Sequence, residues 1–312
     1  MHEYPIISII LPTYNRAELL KKSISSVITQ TFQFWELIIW DDGSTDNTKE
    51  IVMTFSDPRI QYFYDKNNGV AYARNRAIEK SKGTYIAFLD SDDAWATDKL
   101  AFQMQLFEKN PDIDLMFSNF LNINLVKQSK ELGFNQNSIA LDKLVIEKID
   151  ELSFKIKSNI NESLSIDNFI ATDSVVVKKQ TLKKYGLFNE TLRSSEDFEL
   201  WWRLGLNAVN FSFTNKILLN RYKPHESLSG HNESAYKNRL KSLDICSELA
   251  SSFSRDDLIL KLKSQYRNVW QNMIVYYSGS NNKIKMVKAF FHSLKYGFTP
   301  GSLKLLFKGW AL

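Results

Sequence analysis

The sequence predicts an α/β fold with a mainly parallel central sheet, and three observations carry that expectation. Short β-branched apolar runs alternate with helical patterns over the first hundred residues, the runs are continuous, and two of them end in acidic loops. Such alternation marks parallel strands joined by crossover helices.

Ile6–Leu11 (IISIIL) is a β-branched run, apolar but for Ser8, as suits a strand covered on both faces, and Pro12 ends it. Asn15 precedes Glu18 in a capping arrangement, and Leu20, Ile24, Val27 and Thr31 recur at helical spacing. They predict a helix from Arg16 to about Gln30. Leu37–Trp40 is the second strand and stops at Asp41-Asp42-Gly43-Ser44. Asn47–Phe55 reads as a helix, Ile60–Tyr64 as a third strand, Gly69–Ser81 as another helix, and Thr84–Leu89 as a fourth strand ending in Asp90-Ser91-Asp92-Asp93. Ligands of open α/β sheets bind at the carboxyl edge of the strands, so both acidic loops are expected to face one crevice. The polar stretch from Asn122 to Phe169 reads as an insertion over it, with an amphipathic helix near Leu141–Leu152. A strand at Ser174–Val177 and a helix at Gln180–Tyr185, ended by Gly186, complete the pattern.

Composition narrows the classes. With 312 residues, 44% of them apolar and 13% aromatic, the chain can fill a sizeable core, which excludes disorder as its main state. No run reaches the roughly 18–20 apolar residues of a membrane span, and Met1–Ile7 lacks a signal-peptide pattern, so a cytoplasmic location is expected. The single cysteine, Cys246, agrees with a reducing compartment and reads as a small buried side chain. After Asp257 come nine basic residues and no acidic one, so the net charge of +5 leaves −4 for residues 1–257. Body and tail are expected to face different partners.

No G-x-G-x-x-G comes after the first strand and no Walker loop occurs, which argues against a dehydrogenase or a P-loop enzyme. The first strand runs instead into Pro12-Thr13-Tyr14-Asn15-Arg16, beside which a ring and the Asp42 carboxylate could hold a nucleobase, or simply pack and close a turn. Asp90-Ser91-Asp92-Asp93 crowds three carboxylates, which repel unless a cation or donors lie between them. Hard oxygen ligands select Mg²⁺ or Mn²⁺; the alternative is an acidic turn that caps the next helix. Ser194–Arg203 (SSEDFELWWR) sets acids at a helix start, where the helix dipole also favours them. Arg221–Ser229 (RYKPHESLS) holds His225, one of only four histidines.

Taken together, PTYNR, WDDGSTD, NNGVAYARN leading to YIAFLDSDD, and SEDFELWWRL resemble the family-2, inverting GT-A glycosyltransferases. The resemblance is close over roughly 5–115 and looser over 170–230. It implies a GT-A catalytic domain over 1–230, with a nucleotide-binding half (1–115), an acceptor-binding half (116–230) and an insertion at 122–169, before a helical basic extension (231–312). It implies that Pro12, Thr13 and Tyr14 embrace the base of a UDP-sugar and that Asp42 hydrogen-bonds uracil. Arg74, Asp90 and Ser91 complete the nucleotide site, Asp92 ligates Mn²⁺ or Mg²⁺ with His225 near it, and Asp197 is the catalytic base. Lys223-Pro224 departs from the family, which commonly has an Arg and a variable residue there. The implied acceptor is a saccharide, and one linked to a polyprenyl diphosphate is the expectation. A carboxylate base opposite a stabilised leaving group suits one in-line displacement with inversion. A non-catalytic sugar-nucleotide or glycan binding module of the same fold is the rival reading, and a nucleotidyltransferase would need a basic glycine-rich loop where PTYNR stands.

Within Lys283–Phe298, Ile284, Val287, Phe291, Leu294 and Phe298 recur on one helical face, with Lys285, Lys288, His292 and Lys295 on another. Ser302–Trp310 adds Leu303, Leu306, Phe307 and Trp310 with two lysines. Peripheral contact of 283–310 with an anionic membrane is one expectation, and a helix pair packed on the body is the other. No nucleic-acid partner is expected, since no binding module accompanies the charge.

Overall fold

The computed structural model describes residues 5–134, 138–223 and 232–310. Strand β1 (Ile7–Thr13) is buried at every residue, as its continuous apolar run requires. Helix α1 (Ala17–Ile28) turns Leu20, Ile24 and Val27 onto the sheet. Strand β2 (Trp35–Asp41), helix α2 (Thr48–Met53), strand β3 (Ile60–Tyr64), helix α3 (Val70–Lys80) and strand β4 (Tyr85–Phe88) come next. Ile10 lies opposite Ile38 of β2 on one side and Phe88 of β4 on the other, all in parallel register.

Beyond β4 come β5 (Ala94–Trp95), α4 (Lys99–Lys109), β6 (Leu115–Asn124), β7 (Ser129–Leu132), α5 (Ile139–Asp142), β8 (Ile146–Lys148), β9 (Ser153–Ile156) and α6 (Ile160–Leu164). A 3₁₀ turn at Thr172–Ser174 leads into β10 (Val176–Lys178), α7 (Lys179–Tyr185), α8 (Glu196–Leu206) and the long β11 (Phe211–Lys223). The sheet order is β3-β2-β1-β4-β10-β6-β11-β9-β8, with β5 beside β11 and β7 beside β6. Strands β3, β2, β1, β4, β6 and β11 run one way, and β10 runs against its neighbours β4 and β6. The order reverses between β1 and β4, and a crevice opens at such a switch point beyond the strands' carboxyl ends.

Three local expectations are corrected. Asn15 does not cap α1: Arg16 holds the cap position without a side-chain bond, while Asn15 adopts φ 49° and its amide oxygen accepts the Thr45 N–H at 2.8 Å. It ties two loops together instead. The amphipathic helix near Leu141–Leu152 is not formed; α5 stops at Asp142, and β8 and β9 make an antiparallel hairpin with Ile146 opposite Ile156. The hairpin wins because β9 pairs with Ser212–Thr214 of β11, and Phe154 stacks on Phe213 with ring centroids 5.2 Å apart. A helix there would leave that stretch of β11 without these bonds. The polar insertion also begins later than Asn122, because β6 carries ladder pairing through Asn124.

The C-terminal region is helical: α9 (Glu233–Ser252), α10 (Asp256–Gly279), α11 (Lys283–Leu294) and α12 (Pro300–Trp310). It docks on the body through specific bonds. The indole N–H of Trp202 in α8 donates to the Cys246 carbonyl of α9 at 3.0 Å, and Ser242 Oγ donates to the Ser195 carbonyl at 3.0 Å. Gln265 Nε2 of α10 reaches the Leu164 carbonyl of α6 at 2.5 Å. Cys246 is fully buried, and burial pushes its thiol well above the ordinary range. In α11 the buried residues are Met286, Ala289, Phe290 and Ser293; of the apolar stripe picked out from the sequence, Ile284, Phe291 and Phe298 are exposed, Val287 is half-buried and Leu294 packs against the core. No helix of the described residues is long and apolar enough to cross a membrane.

Candidate active site

The carboxyl ends of β1, β2 and β4 supply the first wall. Pro12 and Thr13 close β1, both buried, and Tyr14 beyond them is exposed. The Thr13 hydroxyl is buried without a hydrogen-bond partner, an open polar position at the rim. Of the two acids ending β2, Asp41 is structural: its carboxylate accepts from the Ser44 N–H at 2.8 Å and the Tyr62 hydroxyl at 2.6 Å. Asp42 instead reaches the start of α3, its oxygens accepting the N–H groups of Asn68 and Gly69 at 2.8 Å each. Burial pushes its carboxyl up despite those bonds. The turn works because Gly43 adopts φ 88°, where a Cβ would also lie 2.7 Å from the Asn67 nitrogen.

The second wall comes from the chain's later half, and Arg74 of α3 joins the two. Its guanidinium is buried and donates to Asp90 at 2.8 Å and to Glu196 at 2.5 Å. Burial opposes the charge, but Asp90 and Glu196 outweigh it and keep Arg74 protonated. The loop after β4 is thereby fixed against the start of α8, where Ser195 takes a left-handed φ of 61°. Asp197 sits two residues on, accepting from the Thr172 hydroxyl at 3.1 Å, the Asn168 amide at 3.4 Å and the Phe198 N–H at 2.7 Å.

Below this rim lies a charge cluster. Ligand-capable oxygens of Asp90, Asp93 and Asp173 lie within 4.8 Å of one another. Arg221 of β11 counters them, with Nε 3.5 Å from Asp173 and 3.8 Å from Asp93. Its charge is upheld first by Asp173, then by Asp93, Asp90 and Asp197, so one guanidinium feels both the DSDD loop and the SED helix start. Asp93 also accepts the Tyr222 N–H at 2.8 Å, and burial and then Asp173 push its carboxyl well up. Both Asp173 oxygens are buried without a hydrogen-bond partner. Asp92 stands outside the trio, with its carboxyl pushed up to about 6 by burial and then by Asp90.

The residues singled out in the sequence therefore divide. Pro12, Thr13, Tyr14, Asp42, Arg74, Asp90, Ser91, Asp92 and Asp197 lie at the ends of β1, β2 and β4 or on α3 and α8, and His225 lies outside the described residues. Asp173 and Arg221 had no role assigned from the sequence. The signal for Asp173 is a polar triplet, Thr172-Asp173-Ser174, set between apolar Phe169-Ile170-Ala171 and Val175-Val176-Val177. The orphaned Asp173 oxygens and the hard-oxygen set suit a divalent cation, for which Asp90 and Asp92 offer the outermost carboxylates of the loop.

Residues 8–154 match the model described as Glycosyl transferase family 2. The match supports a family-2 GT-A glycosyltransferase. Among curated family relatives, the UDP-Glc:alpha-D-GlcNAc-diphosphoundecaprenol beta-1,3-glucosyltransferase WfgD of Escherichia coli is 45% identical over 125 residues, 40% of this chain and 49% of that one. This chain spans at most 63% of the length of these curated relatives. The crystal structure of S. aureus TarS 1–349 in complex with UDP-GlcNAc superposes with TM-score 0.59 at 19% identity, covering 93% of this chain and 91% of that one. The mannosyltransferase PcManGT of Pyrobaculum calidifontis, in complex with GDP-Man and Mn²⁺, superposes with TM-score 0.59 at 15% identity, covering 99% and 81%. Both likenesses show the GT-A fold of this chain.

Proposed function

We propose that this chain is a metal-dependent, inverting glycosyltransferase. It moves a hexose or N-acetylhexosamine from a UDP-sugar to a saccharide hydroxyl, with a polyprenyl-diphosphate-linked glycan of surface-polysaccharide biosynthesis as acceptor. The observation that carries the reading is the Arg74 bridge, which holds the DSDD loop and the SED helix start at one rim of the sheet. A donor-binding wall and a candidate base thus meet although more than a hundred residues separate them.

In this reading Pro12, Thr13, Tyr14 and Asp42 hold the base, with Arg74, Asp90 and Ser91 beside the rest of the nucleotide. Asp92 and His225 would hold Mn²⁺ or Mg²⁺, which when bound stabilises negative charge on a departing diphosphate. Asp197 takes the proton of the incoming hydroxyl, and Thr172 and Asn168 orient its carboxylate. Residues 1–230 form the catalytic domain, and 231–312 the extension. The UDP-GlcNAc complex of TarS supports the donor class, the name of WfgD supports the lipid-linked acceptor, and the Mn²⁺ of PcManGT supports the ion. A panel of UDP- and GDP-sugars with Mn²⁺, scored by nucleotide release with and without a polyprenyl-diphosphate GlcNAc acceptor, tests it. One UDP-sugar should stand out and respond to acceptor; release from no donor under any condition would overturn the reading.

A further inference from the structure

Helix α11 packs through Met286, Ala289, Phe290 and Ser293 and turns the opposite stripe outward. Ile284, Lys288, Phe291 and Lys295 succeed one another there at steps of four, three and four residues, which places them on one face. Ile284 is 73% exposed and Phe291 61%, with Phe298 of the link to α12 at 62% and Phe307 of α12 at 65%. Large aromatics left open beside lysines mark a surface that another body covers.

We propose that this face docks on an anionic phospholipid surface. Charge decides the occupant. No acidic residue comes after Asp257, and although Lys285 pairs with Glu233, the exposed Lys288, Lys295 and Lys304 flank the aromatics. A second copy of the chain would bring the same positive face against itself, whereas an anionic headgroup layer complements the lysines and takes up the rings. Presenting the crevice to a lipid-linked acceptor rests on the transferase reading; the docking itself does not, and its test reads binding alone.

Flotation of the full chain with vesicles of phosphatidylglycerol and phosphatidylcholine, against phosphatidylcholine alone, should recover it with the anionic vesicles only. Lys288→Gln combined with Lys295→Gln should weaken that binding on the order of 25-fold, from about fivefold per lysine charge. Phe291→Ser should weaken it at unchanged circular dichroism, because the ring is 61% exposed and meets the body at the edge of Phe290. Equal binding to both vesicle types, no flotation of the folded chain, or binding untouched by these variants would overturn the proposal. So would a dimer in sedimentation that Phe291→Ser dissociates, which would assign the face to a second copy.

Discussion

Arg74 and Glu196, 122 positions apart in the chain, share a buried ion pair at 2.5 Å. Replacing Arg74 with Met leaves Glu196 without its counter-ion in the interior and Asp90 without its donor. Breaking a buried pair from one side costs about 3–5 kcal/mol. Urea unfolding of Arg74→Met should show a loss of that size, and adding Glu196→Met should recover part of it. If the double variant is no more stable than the single one, the pair does not join the walls as described.

Asp197→Asn keeps the shape of the side chain and removes its basicity. Transfer should fall by about 10²–10⁴-fold while UDP-sugar binding, read by calorimetry, stays within about twofold. Full residual turnover would take Asp197 out of the base role.

Asp92→Ala should abolish the dependence of UDP binding on Mn²⁺ in the same calorimeter. Retained metal dependence would shift the ligand role onto Asp90, Asp93 and Asp173, the carboxylates whose oxygens already converge.

Lys99 supplies a prediction for stability against pH. It is fully buried, donates to Gln103 at 2.7 Å and lies 4.2 Å from the Trp95 ring. Burial pulls its ammonium from 10.5 down to about 7, against the pull of Asp173. Between those values the unfolded chain binds a proton that the folded one lacks, so this group makes stability rise with pH, by at most about 1.4 kcal/mol per unit. From pH 7.5 to 9 the natural chain should gain up to about 2 kcal/mol over Lys99→Met in urea unfolding. Parallel pH responses would show that Lys99 stays charged in the fold.

Much of the first hundred residues was legible because their signals are local. Ile6–Leu11 is apolar but for Ser8 and so belongs between two layers, and acids ending Leu37–Trp40 and Thr84–Leu89 mark the carboxyl edge of the sheet. The features that escaped depend on distant partners. The Val145–Ile156 stretch fits a helix or a hairpin by spacing, and only the open edge of β11 and the Phe213 ring select the hairpin. Asp173 and Arg221 meet because β11 folds back beside β6, a relation no window of sequence contains. The tail erred differently: both faces of α11 carry apolar residues, and periodicity alone could not tell which one packs.

The Trp202 indole closes on a carbonyl 44 residues downstream. The helix bearing Asp197 is therefore walled on one side by α9, and trimming the chain at the end of β11 would wet Trp202, which is now fully enclosed. A minimal soluble fragment for crystallisation or screening has to keep the first C-terminal helix, or it will misreport the chemistry of the very residue it was made to study.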